Sequence, residues 1–379
     1  MMKKDIRIAF FTSHINKSLQ WLWYNEALEE SKIYQIHIII NPTKPLLYDD
    51  LKKVGVEVYY LSHRGFFSHF ANLFMAIRIL ARHQINIVHT SLPYGNLIGQ
   101  SSAYLLGIKN RVTTCENASW GFDFNHTKQK FLDRYTFNAC KYVIATSEIA
   151  YNFLQIKWGI CEVKLVQINH GLKLDVFNNF DQKELESLKN QFGLDRDDFV
   201  IGMIARLEFW KGHKYAISAI ANLVPKYPNI KLLIFGSSGP EQKNIETQIE
   251  ELELSENVIY MGFMNNTLLL YQLFNIHLHV PIGKYVENGG ITIIEGMISA
   301  TPQVLTLSGY AYQSAKHEYN CLVVDYKDSD TIASAIEKIY NSRSLGEYLS
   351  ENAKMDAINE YGLNNKVRRH VELYQHLHH

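Results

Sequence analysis

Two doubly wound, Rossmann-like α/β domains are what this sequence predicts, and three observations predict them. Short apolar runs of strand length alternate with longer segments of helical period along the chain, the pattern that a parallel sheet covered by helices requires. The alternation pauses once, in a polar and acidic stretch over about residues 178–198, and then restarts. The chain has 379 residues, 47% of them hydrophobic, which is enough for two cores of ordinary size.

Taken in order, the strand candidates of the first half are 6–11, 36–40, 56–60, 85–89, 112–114, 142–145 and 165–168, sufficient for one sheet. After the pause come 199–204, 230–235, 258–261 and 277–280. Between the first two of these, Ala216, Ile217, Ile220, Leu223 and Val224 recur at helical spacing, and Pro225 and Pro228 close the segment. The last stretch, 345–379, reads as helical with a break at Gly362. The expected domains are therefore 1–178 and 196–355, followed by a C-terminal helical segment, 356–379.

Composition narrows the class. No run approaches the roughly 18 uninterrupted apolar residues of a membrane-spanning helix, and the N-terminus runs into a strand-like segment, so a cytoplasmic protein is expected. Cys115, Cys140, Cys161 and Cys321 lie far apart, which points to isolated buried thiols instead of disulfides or a zinc knuckle. Net charge is zero, but residues 1–178 hold 20 Lys and Arg against 13 Asp and Glu, leaving 18 against 25 for the rest. A basic first half suits an anionic partner such as a membrane surface or a charged glycolipid; scattered solvated charge explains it equally well. A nucleic-acid partner finds little support, with neutral overall charge and no basic-aromatic stripe.

Two constellations carry the chemistry. In the first, Gly202-Met203-Ile204-Ala205-Arg206-Leu207-Glu208-Phe209-Trp210-Lys211-Gly212, a strand ends in two cations five positions apart just before a helix. A loop at the carboxyl end of a parallel strand is where open α/β sheets bind ligands, and two cations there invite a diphosphate. Taken alone, the loop reads better as surface ion pairs. The second constellation, Glu287-Asn288-Gly289-Gly290-Ile291-Thr292-Ile293-Ile294-Glu295-Gly296-Met297, changes the balance. Gly289 and Gly290 can open a helix whose N–H groups bind phosphate or sugar oxygens, and carboxylates accept hydrogen bonds from vicinal sugar hydroxyls.

With both pieces in this order, about 80 residues apart, the sequence resembles the retaining GT-B glycosyltransferases of family 4, the glycosyl transferases group 1. The resemblance covers about 199–324 well, including Gly236 and Gly262-Phe263 as nucleotide-side loops, and the first domain loosely. It implies a GT-B fold, two Rossmann-like domains facing a central cleft, with the last helix packing back on the first domain. It further implies that Arg206 and Lys211 hold the donor diphosphate, Glu287 the donor-sugar hydroxyls and Glu295 the ribose, with Gly289, Gly290 and Ile291 at the helix start. Donor chemistry without a metal is implied, as is transfer with retention from a UDP-sugar, in preference to a GDP-sugar, to a glycan or glycolipid acceptor. The setting implied is bacterial surface polysaccharide or lipopolysaccharide synthesis, with peripheral membrane contact. The rivals are another GT-B enzyme, such as a sugar-nucleotide epimerase, and a nucleotide-sugar binder or adaptor that has lost turnover.

The first domain departs from the family pattern in two places. The loop after the first strand, Thr12-Ser13-His14-Ile15-Asn16-Lys17-Ser18, lacks the usual glycines. Glu116 stands where members of the family often carry a His that contacts the donor sugar; a carboxylate in that place could accept a sugar hydroxyl or, in principle, steady positive charge on the ring. Asp123 and His126, with Trp120, Phe122 and Phe124, form an aromatic loop that reads as an acceptor site or as ordinary packing. His170-Gly171 is expected to line the cleft. His89 is expected there too, or else buried and hydrogen-bonded. His277 and His279 alternate on a strand with no third ligand in sight and read as core or crevice histidines. Asp195-Arg196-Asp197 imitates a metal-binding triplet but precedes a strand, and reads as a turn. Phe66, Phe70, Leu73, Phe74, Ile77 and Ala81 recur at helical spacing beside Arg78 and Arg82, a stripe read as core in preference to an interfacial helix.

Overall fold

The computed structural model describes residues 5–378 except 17, 66, 120–125, 178–180 and 265–266. The chain divides into two units, one of Met1–Leu172 with Tyr361–His379, the other of Lys173–Glu360.

The sheet of the first unit has seven strands: β1 (Arg7–Ser13), β2 (Tyr34–Asn41), β3 (Glu57–Ser62), β4 (Ile87–Ser91), β5 (Asn110–Cys115), β6 (Tyr142–Ala145) and β7 (Leu165–Gln167). They run parallel in the order β3-β2-β1-β4-β5-β6-β7. Strands covered on both faces need continuous apolar runs, and Ile36, Ile38, Ile39 and Ile40 are all buried. Local signals start the helices. Ser18 caps Leu19–Glu29 by accepting the Trp21 N–H at 3.2 Å, and Pro93 occupies the first turn of Pro93–Leu105.

The sheet of the second unit has six strands, β8 (Phe199–Ile204), β9 (Ile230–Phe235), β10 (Val258–Gly262), β11 (Ile276–His279), β12 (Gln303–Leu305) and β13 (Leu322–Val323), ordered β10-β9-β8-β11-β12-β13. The expected helix is there as His213–Leu223, its face of Ala216, Ile217, Ile220 and Leu223 buried in the core. Both sheets are therefore parallel, doubly wound and Rossmann-like, as the sequence predicted.

Several expectations are corrected. The polar stretch after 178 is no linker: Asp181 caps a helix, Gln182–Gln191, whose Leu185 and Leu188 pack with Phe192, Phe235 and Phe274 in the second unit. The chain leaves the first unit at Leu172 and returns at Tyr361, not at 178 and 356. With those bounds the first unit holds 22 Lys and Arg against 13 Asp and Glu, a steeper asymmetry than the sequence halves showed. Strands β12 and β13 were not foreseen, being only three and two residues long.

The aromatic stripe is not core. In the helix Ser68–Arg82 it is Asn72, Ala76, Ile79 and Leu80 that are buried, while Phe70 and Phe74 are 64% and 60% exposed. Phe66 lies outside the described residues. Cys161 is exposed, unlike the other three thiols. The helical tail breaks at Gly362 into Arg343–Tyr361 and Leu363–His378. Leu373, Tyr374 and Leu377 of the last helix complete a core with Ile8, Phe10, Tyr24 and Val112 of the first unit. No helix among the described residues is long and apolar enough to cross a membrane.

Candidate functional site

Strand order decides where each sheet can bind a ligand. In the second unit the chain runs β8, β9, β10 to one side and β11, β12, β13 to the other, so a crevice opens at the carboxyl ends of β8 and β11. The Arg206-to-Lys211 loop leaves β8, and the Glu287-to-Glu295 segment follows β11. A backbone hydrogen bond from Ile282 N–H to Trp210 C=O, at 3.0 Å, joins the two connections.

Within that crevice Lys211 and Glu287, 76 residues apart, are in direct ion-pair contact and both largely buried. The contact occupies Oε2 of Glu287 and one of the three ammonium protons of Lys211, which leaves Oε1 and two N–H donors for a ligand. Arg206 is 57% exposed and only loosely attached, its guanidinium 3.9 Å from Glu208. Gly290, at φ +74°, opens the helix Ile291–Ile298. A side chain added there would be strained and would crowd Glu287 and His279. Two backbone hydrogen bonds hold neighbouring loops close: Gly236 N–H donates to Gly262 C=O at 3.0 Å, and Leu207 N–H to Ser237 C=O at 3.3 Å. Phe263, next to Gly262, is 68% exposed.

Glu295 sits in the same helix, half-buried. Tyr271, which the sequence reading missed, donates its hydroxyl to Oε2 of Glu295 at 2.9 Å. Burial raises the Glu295 carboxyl to about 7, and the Tyr271 hydrogen bond opposes the rise. A carboxyl raised in this way favours the fold while protonated, a contribution present below the ordinary carboxyl range and lost as pH climbs through about 7. On the ribose-holding role that the family resemblance implies for Glu295, ligand binding should run the other way, because the ionised carboxylate is the stronger acceptor for a diol. UDP-glucose, whose diphosphate carries no group titrating in this range, is therefore expected to bind several-fold more tightly at pH 8 than at pH 6. In Glu295→Gln the profile should be flat. A flat profile in the unaltered protein would remove Glu295 from the ligand.

His277 and His279 are core histidines. His277 Nδ1 lies 3.1 Å from Gln303, His279 Nδ1 lies 3.4 Å from the Thr292 hydroxyl, and burial holds both at about 3, hence neutral. Asp195-Arg196-Asp197 forms a turn, with Asp195 N–H donating to the Asp198 carboxylate at 2.8 Å.

In the first unit the corresponding switch point lies between β1 and β4. A cavity of about 250 Å³ opens at the carboxyl edge of that sheet. Residues following five strands line it: Ile15, Leu92, Glu116, Thr146 and His170, after β1, β4, β5, β6 and β7. The glycine-free loop is held by Asn41 of β2, which accepts from Ile15 N–H at 3.3 Å and donates to Ile15 C=O at 2.6 Å. Lys17 lies outside the described residues. Glu116 is 3.5 Å from His170 Nε2, and burial raises its carboxyl, Lys366 opposing. His89 both lines the cavity and is buried and bonded, 2.6 Å from the Tyr374 hydroxyl and 2.7 Å from that of Thr114. Of the aromatic loop, Trp120, Phe122, Asp123 and Phe124 lie outside the described residues; His126 immediately precedes the helix Thr127–Ala139. Lys366 and His370 also line the cavity, and no local signal in the sequence marked them.

Two doubly wound sheets, one with the Lys211–Glu287 ion pair and a glycine-opened helix at its switch point, have the architecture of the GT-B class. Residues 26–176 match the family Glycosyltransferase Family 4, and residues 185–356 match Glycosyl transferases group 1. The chain carries both domains of a GT-B-type glycosyltransferase. It is 27% identical over 243 residues to the uncharacterized glycosyltransferase MJ1607 of Methanocaldococcus jannaschii, a match spanning 63% of this chain and 61% of that protein. It is 23% identical to the capsular polysaccharide biosynthesis glycosyltransferase CapM of Staphylococcus aureus, over 92% of this chain and 91% of that one. Among solved structures, Anabaena Alr3699/HepE in complex with UDP superposes with a TM-score of 0.82 at 17% identity, covering 98% of this chain and 100% of that chain. That likeness shows the fold.

Proposed function

We propose that this protein transfers a sugar from a nucleotide diphosphate sugar, with UDP favoured over GDP, to a glycan or glycolipid acceptor with retention of anomeric configuration. The observation that carries the reading is the contact between Lys211 and Glu287 at the switch point of the second sheet, which puts a cation and a free carboxylate oxygen side by side. Lys211 and Arg206 meet the diphosphate without a metal ion, Oε1 of Glu287 accepts a sugar hydroxyl, and Glu295 accepts the ribose diol. As the bond between sugar and phosphate breaks, negative charge grows on the departing diphosphate, and fixed cations stabilise that charge more than they stabilise the bound donor. Retention follows from acceptor attack on the face the diphosphate leaves.

The acceptor falls to the first unit, and bacterial surface polysaccharide or lipopolysaccharide synthesis is the setting. CapM, whose name places it in capsular polysaccharide biosynthesis, and HepE, solved with UDP, support the setting and the base. Exposed Phe67, Phe70 and Phe74, with Arg78 beside Phe74, offer a surface for peripheral contact with a membrane holding such an acceptor, a contact that flotation with anionic liposomes would detect.

Thermal unfolding with a panel of nucleoside diphosphates and nucleotide sugars, in EDTA, tests the donor half. A ligand at about 100 times its dissociation constant should add about 2.7 kcal/mol. UDP and UDP-sugars are expected to raise the transition above their guanosine counterparts. No rise with any nucleotide would sink the donor assignment, and a rise only after a divalent metal is restored would overturn the metal-free part.

A further inference from the structure

The cavity of the first unit is unusual in the charges it leaves apart. Its 250 Å³ is on the scale of one sugar ring, and Trp21 and Tyr24 give it aromatic walls of the kind sugar rings pack against. Glu116 lies on one side, beside His170. Lys366 comes from the last helix, whose approach depends on Gly171: a Cβ there would stand 2.9 Å from the Cβ of Lys366 and 2.9 Å from the Cα of Leu363. The helix start is tied down by Leu172 N–H to Tyr361 C=O and Leu363 N–H to Leu172 C=O, each 2.9 Å. Farther along, the Tyr374 hydroxyl reaches Tyr24 at 3.1 Å. The helix that carries Lys366 is therefore held by backbone hydrogen bonds before this residue and by a side-chain contact after it.

The Lys366 ammonium lies 5.0 Å from the centre of the Tyr24 ring, and among the described residues it has no hydrogen bond and no carboxylate within ion-pair distance. Burial lowers Lys366 to about 8, with Glu116 opposing, and raises Glu116, with Lys366 opposing. Each charge feels the other, yet the two do not pair. Both side chains are half-buried, so the Lys366 ammonium has neither a carboxylate of the described residues at ion-pair distance nor open water around it, and a ligand anion would supply the missing partner. The excess of cations in this unit, 22 Lys and Arg against 13 Asp and Glu, favours a ligand of negative charge.

We propose that this cavity binds a single sugar ring bearing an acidic group, a carboxylate or a phosphate, with Lys366 holding the anion and Glu116 accepting a ring hydroxyl. The proposal rests on the glycosyltransferase reading and gives its acceptor a chemical class. Lys366 is then the residue that sets specificity for the charged sugar.

The test is calorimetric titration of the whole chain with glucose, glucuronate, glucose 6-phosphate and inorganic phosphate. At least one of the two charged sugars is expected to bind about tenfold more tightly than glucose, the size of one charge-assisted contact. Which of them does so tells a carboxylate from a phosphate site. Lys366→Met should abolish the advantage, Lys366→Arg should keep most of it, and Glu116→Gln should weaken glucose and the charged sugars alike. Four results would overturn the proposal: glucose binding as well as the charged sugars, an advantage that survives in Lys366→Met, inorganic phosphate binding as tightly as glucose 6-phosphate, or no binding by any probe. Titrating UDP into the same samples keeps the two readings apart. UDP bound without a charged sugar sinks this inference alone, and a charged sugar bound without UDP sinks the donor site alone.

Discussion

Arg206→Ala is expected to lower the rate of sugar transfer by about 100- to 1,000-fold, the usual effect of deleting one group aimed at the charge of a transition state. Stability should hardly change. Arg206 is 57% exposed and its nearest carboxylate, on Glu208, is 3.9 Å away, an attachment of the kind that contributes little. Lys211→Ala should cost as much in rate but also destabilise the second unit, because it leaves Glu287 largely buried without its partner. The comparison separates two meanings of a lost cation. Steady-state kinetics beside thermal unfolding would show Arg206→Ala slow and stable, Lys211→Ala slow and less stable. A rate for Arg206→Ala within a fewfold of the unaltered protein would remove this side chain from the diphosphate site.

Gly212→Ala carries the largest stability effect we expect from one methyl group. Gly212 adopts φ +82°, and its C=O accepts from the N–H groups of Tyr215 and Ala216 in the first turns of the helix that follows. A Cβ there would fall 1.9 Å from the backbone oxygen of Val280, beyond the end of β11. Backbone strain of about 1–2 kcal/mol adds to a clash that no rotamer can relieve, since the obstacle is main chain. A loss of more than about 4 kcal/mol is expected. For a unit of this size that corresponds to a fall in Tm of about 8 °C or more. Gly262→Ala is the control: it shares the positive φ, at +75°, but its Cβ would meet nothing within 4 Å, so only the strain remains. Equal losses at the two positions would show that strain, and not the approach of Val280, makes position 212 a glycine. Gly212 directly follows Lys211, so the close approach of the β8 and β11 connections is also what sets Lys211 beside Glu287.

Local rules were enough for much of this. A parallel strand covered on both faces demands a continuous apolar run, so β8 and β9 were legible to the residue. A helix that must cover a sheet repeats its apolar face within a few residues, and His213–Leu223 did. Arg206 with Lys211, and Glu287 with Glu295, each lie on one short segment, where spacing alone carries information. Strands β12 and β13 are too short to show a pattern, and the helix Gln182–Gln191 buries two leucines among polar residues, too few to stand out from a linker. An amphipathic repeat says that one face is apolar but not which residues another element covers. Phe70 and Phe74 are therefore exposed while Asn72 is buried, donating to the Ser62 C=O at 3.0 Å.

The cavity of the first unit was the least legible part, for a physical reason. Glu116 and Lys366 lie 250 residues apart in the chain and line one cavity only because the last helix packs against Gly171. Tyr271 reaches Glu295 in the same way, from a different strand connection. By itself the sequence determined two doubly wound sheets and the loops that end their strands, since both are written in short-range periodicity and spacing. Only the tertiary structure decided which charges share a crevice and which stay unpaired, because those contacts depend on helices and loops far apart in the chain coming within a few ångströms of one another.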